Sequence, residues 1–143
     1  MKIAIIGLGL IGGPLARRLR GFHSCTIAAY NRTAQTLVAA RNDGAIDEGY
    51  TEPGDAMKDA DLIIMCLYPQ LNIDFVRENL SCIKPGALIT DVSGIKSYII
   101  EEMDKILPDN IDFIGGHPMA GREVGGYQSS TDTLFENSSY LLT

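Results

Sequence analysis

Apolar residues along the chain fall into two kinds of run that alternate almost from end to end. Short, nearly unbroken aliphatic stretches occupy Lys2 to Ile6, Cys25 to Tyr30, Asp61 to Leu67, Ala87 to Val92 and Ile111 to Ile114. Each has the length and composition of a strand buried on both faces. Between them, apolar positions recur at helical spacing. Leu10 to Arg20 predicts a helix, with Arg17, Arg18 and Arg20 at the negative end of its dipole and Gly21 as its stop. Thr33 to about Asn42 predicts a second helix, capped by Thr33. Residues 70–80, with Leu71, Phe75, Val76 and Leu80, predict a third, and Lys96 to Leu107 a fourth, stopped by Pro108. Lys84-Pro85-Gly86 is a turn. The segment from Gly44 to Asp55 is open to two readings: Ala45-Ile46 suits a short strand and Glu52-Pro53-Gly54 a turn. Ser139 to Leu142 predicts the last strand. Strands alternating with such helices form right-handed βαβ units. The predicted class is therefore α/β, a doubly wound, mainly parallel sheet with helices on both faces.

Composition acts mainly by exclusion. The chain has 143 residues, 45% of them hydrophobic, which fits one domain with a real core and is too apolar for disorder. Its 12 basic and 18 acidic side chains give a net charge of −6, with no run of Lys or Arg. Neither a nucleic acid nor an anionic membrane is an expected partner. No apolar stretch reaches the roughly 18 residues a bilayer span needs. Lys2 and the aliphatic run after it imitate a signal peptide, but Gly7, Gly9, Gly12 and Gly13 break the run, and arginines stand where a cleavage site needs small residues. Cys25, Cys66 and Cys82 lack metal or disulfide spacing. Cys25 and Cys66 read as small buried hydrophobes, and a reducing, cytoplasmic compartment is expected. The acidic residues between Asp43 and Asp59 show no ligand spacing, so no metal is expected, and His23 reads as an exposed turn residue. The chain stops inside or just after a strand, as expected of the front part of a longer protein.

The glycines carry the first chemical signal. Gly7-Leu8-Gly9-Leu10-Ile11-Gly12 follows a predicted strand and opens a predicted helix. In that setting Gly7 allows the tight turn, Gly9 admits a pyrophosphate to the backbone, and Gly12 lets helix and strand pack closely. The fold is thus Rossmann-like, and residues 1–143 read as one dinucleotide-binding domain. Pro14 is tolerated in a first helical turn. At the end of the second strand, an NAD site wants an acidic residue for the ribose hydroxyls. Here Asn31 stands in that place, followed by Arg32 and Thr33. Asn31 removes a carboxylate that would repel a 2′-phosphate, Arg32 offers a charge-assisted contact to one, and Thr33 adds a hydroxyl. NADP is therefore favoured over NAD. Leu67 and Tyr68, closing the strand that starts at Asp61, complete the candidate nucleotide site.

The second signal is Gly115-Gly116-His117-Pro118-Met119-Ala120-Gly121-Arg122. It follows a predicted strand, which puts His117 at the carboxyl end of a parallel sheet, where such folds bind ligands. Histidine is well suited to exchange a proton near neutral pH. The Gly-, Ser- and Thr-containing segment from Gly125 to Thr133 reads as a mobile loop near the site.

These motifs, with Thr90-Asp91-Val92-Ser93-Gly94-Ile95-Lys96 and Leu134-Phe135-Glu136-Asn137, resemble the prephenate/arogenate dehydrogenase family in order and spacing over essentially the whole chain. The resemblance covers that family's N-terminal nucleotide-binding domain. It implies oxidative decarboxylation of prephenate to 4-hydroxyphenylpyruvate in tyrosine biosynthesis, with hydride passing to the nicotinamide. It assigns His117 to the substrate's 4-hydroxyl and a serine to the same hydroxyl. Family members often read Gly-Ser-Val-Lys where this chain reads Ser93-Gly94-Ile95-Lys96, so Ser93 is displaced by one position. Pro14 likewise stands where a serine is common. The resemblance further implies a C-terminal, largely helical domain, absent from these residues, that forms a homodimer and grips the substrate's carboxylates. Arg122 is a candidate to meet a carboxylate from this side, or a surface residue. The isolated domain would then bind nucleotide and catalyse little. Two other readings stand beside this one: a stand-alone NADP-binding sensor, and a related dehydrogenase acting on arogenate or a β-hydroxyacid.

Overall fold

The computed structural model describes residues 1–121 and 125–143. In chain order the elements are β1 (Lys2–Ile6), α1 (Gly12–Leu19), β2 (Thr26–Tyr30), α2 (Ala34–Asn42), β3 (Glu48–Tyr50), α3 (Pro53–Met57), β4 (Leu62–Met65), α4 (Pro69–Glu78), β5 (Leu88–Asp91), α5 (Lys96–Ile106) and β6 (Asp112–Ile114). A short ribbon follows, made of β7 (Gly116–Pro118) and β8 (Tyr140–Leu142). The first six strands form one sheet in the order β3-β2-β1-β4-β5-β6, every pairing parallel. This is the doubly wound, Rossmann-like arrangement.

Strand geometry explains the unbroken apolar runs. Side chains alternate between faces, so in β1 Ala4 and Ile6 enter a core with Ile63, Met65, Ile73, Val76, Ile99 and Met103. Ile3 and Ile5 enter the opposite core with Ile27, Leu37, Ala40 and Ile64. Both faces are covered, so no position needs to be polar. Each buried Ile contributes roughly 1.5–3 kcal/mol.

The structure departs from the sequence reading where local signals compete. Ala45 and Ile46 are not a strand. Gly44 has φ +68°, and the Ala45 amide donates to the Ala40 carbonyl at 2.8 Å, so this stretch closes α2. Both side chains plug the core, and the strand begins at Glu48. Glu52-Pro53-Gly54 is not a free turn but leads into α3, with Pro53 in its first turn and Ala56 and Met57 buried. Thr33 occupies the cap position of α2 without a side-chain cap bond. β8 lies outside the parallel sheet and pairs antiparallel with β7, a segment for which the sequence predicts no element. Cys25 and Cys66 are half-buried rather than buried, while His23 is exposed as expected.

From Gly125 onward the predicted loop is anchored on α1. Tyr127 is buried, with the Arg17 guanidinium 4.5 Å above its ring and its hydroxyl donating to Asp43 Oδ2 at 3.0 Å. Burial, with the Asp43 contact, pushes the Tyr127 hydroxyl up to about 12. Arg17 also donates to Ser130 Oγ at 2.7 Å.

Candidate active site

Strands β1 and β4 are neighbours, but the chain leaves them toward opposite edges of the sheet. Such a reversal opens a crevice at the strands' carboxyl ends. Here it is a cleft of about 1060 Å³, with the β1–α1 turn on its floor and α4 on one wall.

The three glycines differ in what surrounds them. Gly7 has φ +99°, and a Cβ there would stand 2.8 Å from Leu67 Cδ2 and 3.1 Å from the Cys66 carbonyl oxygen. A Cβ on Gly12 would run into the Gly7 carbonyl oxygen, so the helix meets the turn only through glycine. Gly9 is different: a Cβ there would meet nothing within 4 Å, and the residue lines the cleft. Among the described residues, the amides of Leu10 and Ile11 beside it have no acceptor in the protein. Free amides at a helix start suit an anionic diphosphate. Leu8 is used internally, its side chain buried and its amide donating to Asn31 Oδ1 at 3.2 Å. Gly9→Ala is therefore expected to leave the melting temperature nearly unchanged and to weaken dinucleotide binding, read by calorimetric titration. An unaltered affinity would remove Gly9 from the cradle.

Asn31, Arg32 and Thr33 line the cleft beyond β2. The Asn31 amide group donates to the Thr33 carbonyl at 3.2 Å, so this side chain links the glycine turn to the start of α2. Arg32 is exposed and, among the described residues, has no ion-pair partner. Leu67 and Tyr68 line the same cleft. Asp74 and Glu78 line its α4 side, Asp74 already paired with Arg77 at 2.9 Å. Free amides, an uncommitted guanidinium and an open glycine thus fit a nicotinamide dinucleotide.

A further part of the cleft is built from the loop after β5. Ser93 and Gly94 line it. Ser93 is buried, and its hydroxyl accepts from Asn72 Nδ2 at 3.3 Å. It is Gly94, not Ser93, that faces the histidine: a Cβ on Gly94 would lie 3.4 Å from both Nε2 and Cε1 of His117. The displaced motif thus leaves a hydrogen atom where the Gly-Ser-Val-Lys pattern would put a serine side chain. His117 stands in β7, opposite Leu141 of β8, half-buried. Tyr140, also on β8, has its hydroxyl pushed up to about 12, chiefly by burial. Arg122 lies outside the described residues.

The candidates from Gly9 to Ile11 and from Asn31 to Thr33, with Leu67, Tyr68 and Ser93, line one cleft, and His117 stands beside Gly94, which lines it too. Gly7, Leu8 and Gly12 shape the turn from below, while Gly9, Leu10 and Ile11 form the exposed floor. Sequence reasoning missed Asn72, which holds Ser93, and the Asp91–Lys96 ion pair, which bonds Gly116, the residue before His117. One signal for Asp91 was available: a carboxylate inside an otherwise apolar strand needs a partner.

Fold and cleft together define a nucleotide-binding Rossmann domain. The chain belongs to the prephenate dehydrogenase family: residues 15–143 match the family described as "Prephenate dehydrogenase, nucleotide-binding domain". It is 34% identical over 143 residues to the prephenate dehydrogenase of Bacillus subtilis (strain 168), covering 99% of this chain and 38% of that protein. The structure of Synechocystis arogenate dehydrogenase matches with a TM-score of 0.90 at 32% identity, over 100% of this chain and 50% of that one. The Aquifex aeolicus prephenate dehydrogenase complex with hydroxyphenyl propionate and NAD+ matches with a TM-score of 0.88 at 28% identity, again over 100% and 50%. The chain thus spans about 40–50% of the length of these relatives. Among the described residues, no helix is long and apolar enough to cross a membrane.

Proposed function

We propose that this chain is the cofactor-binding half of an NADP-dependent prephenate dehydrogenase, completed by a C-terminal helical domain that forms the homodimer and grips the substrate's carboxylates. The observation that carries the reading is His117 beside Gly94, a residue that lines the same cleft as the Asn31–Thr33 segment. The bound nicotinamide supplies the hydride acceptor for the carbon bearing the 4-hydroxyl of prephenate. His117 takes the proton from that hydroxyl as the carbon–hydrogen bond breaks and the oxygen becomes a carbonyl. The bond to the ring carboxylate then breaks, CO₂ leaves, and its electron pair makes the ring aromatic. The phenolic oxygen recovers its proton from His117, so 4-hydroxyphenylpyruvate, CO₂ and reduced cofactor are the products. Ser93 is the second catalytic candidate: its oxygen accepts from Asn72, which leaves its own proton for a ligand in the cleft. Arogenate is the alternative substrate, favoured by the likeness to the Synechocystis enzyme. Rates with the two substrates, measured on the full-length protein, decide between them.

The cofactor preference rests on Arg32, with Asn31 in place of an acid. Arg32→Ala is expected to weaken NADP+ binding by about tenfold or more, the worth of one charge-assisted contact, and NAD+ binding little. Titration with both cofactors reads the difference. Equal losses would contradict a 2′-phosphate role for Arg32.

A further inference from the structure

We infer that the Asp91–Lys96 ion pair is a positioning clamp that sets His117 against the cleft. The clamp rests on geometry alone, and its kinetic consequence rests on the dehydrogenase reading. Asp91 ends β5 and is completely buried, while the Lys96 side chain, opening α5, is 16% exposed. Asp91 Oδ1 accepts from Lys96 Nζ at 2.5 Å and from the Gly116 amide at 3.1 Å. Lys96 Nζ also donates to the Gly116 carbonyl at 2.7 Å. Both polar backbone groups of the residue before His117 are therefore held by one ion pair.

The β7–β8 ribbon shows why they are available. Opposed residues of an antiparallel pair alternate between bonding each other and facing away. Gly115 exchanges both backbone bonds with Thr143, at 3.0 and 2.9 Å, so Gly116 turns its amide and carbonyl outward. Only glycine fits there, since a Cβ would stand 2.8 Å from the Tyr140 hydroxyl and 3.0 Å from Thr90 Oγ1.

The same carboxylate also holds the loop that carries Gly94. Asp91 Oδ2 accepts from the Ser93 amide at 2.9 Å, one residue before Gly94. Asp91 thus fixes both backbones that bring Gly94 and His117 together. A buried ion pair adds little stability over apolar residues of similar size. What this one adds is a fixed direction for the His117 peptide.

The test uses K96M, D91N, H117N and the K96M/H117N double variant of the full-length protein. In K96M, kcat with prephenate is expected to fall about tenfold to hundredfold, the cost of a misplaced catalytic group, with NADP+ affinity unchanged. In the H117N background the same change is expected to cost nothing more, because positioning has no value without the imidazole. Equal losses in both backgrounds, or an NADP+ affinity that falls with kcat, would overturn the clamp. Amide exchange gives an activity-free reading. In D91N the Gly116 and Ser93 amides are expected to exchange about tenfold faster or more while those of Ile63 and Ile89 stay protected. Unchanged exchange at Gly116 would overturn the clamp equally. K96M is read the same way should D91N not fold. If the unaltered protein shows no prephenate turnover, the dehydrogenase reading falls, and exchange at Gly116 alone decides the clamp.

Discussion

Replacing His117 by Asn in the full-length protein is expected to lower prephenate turnover by about 10²–10⁴-fold, the usual contribution of a positioned general base. NADP+ affinity should stay nearly intact. Asn keeps a polar side chain of similar reach but cannot take up the hydroxyl proton. The ring sits beside Gly94, whereas the glycine turn and Arg32 belong to other segments of the cleft lining. Binding and chemistry are therefore separable by substitution. A single-turnover measurement with saturating cofactor isolates the chemical step. Turnover equal to that of the unaltered protein would remove His117 from the mechanism.

The second large effect concerns the glycine turn. Gly12→Val is expected to destabilise the domain by about 1–3 kcal/mol or more, because the new side chain meets backbone rather than a movable side chain. Its Cβ would run into the Gly7 carbonyl oxygen, and Gly7 is tied to β2 by its amide, which donates to the Tyr30 carbonyl at 2.9 Å. For a domain of this size that corresponds to a drop of several degrees in Tm. Dinucleotide binding should fall with it, since the turn carrying Gly9 and the free amides must shift. Thermal unfolding with and without NADP+ reads both effects. A Gly12→Val protein with normal Tm would mean that helix and turn have slack the structure does not show. The contrast with Gly9→Ala matters here, for that change is expected to spare the fold and harm only binding.

How much was legible in the sequence follows from how local each cause is. Strands β1, β2, β4 and β5 were readable because a sheet covered on both faces turns each central strand into an uninterrupted aliphatic run. β3 was not, because Glu48-Gly49-Tyr50 lies at the sheet edge and has no such run, while the more apolar Ala45-Ile46 serves the end of α2. α3 was hidden because Pro53-Gly54 signals a turn as readily as a helix start. β7 escaped for a related reason: a glycine and a proline flank His117, and only pairing with β8 makes the segment a strand.

The site divides the same way. Gly7, Gly9 and Gly12 make demands on their own backbone, so their spacing is visible in one dimension. The Asn31–Thr33 segment was placed by its position at the end of a strand. The meeting of Gly94 with His117 joins the loop after β5 to strand β7, distant in sequence, and no local pattern encodes it. The same holds for the Asp91 bond to the Gly116 amide, which spans 25 residues. The displaced Ser93-Gly94 pair was visible as a departure, but only the structure shows the hydroxyl turned to Asn72 and the glycine turned to the histidine.

The most direct test of the account is prephenate-dependent formation of NADPH by the full-length protein, followed together with release of CO₂. The expected result is one NADPH and one CO₂ per prephenate consumed, with a higher kcat/KM for NADP+ than for NAD+. Tight NADP+ binding with no reduction in the presence of prephenate or arogenate would contradict it, and the cleft would then belong to a nucleotide sensor.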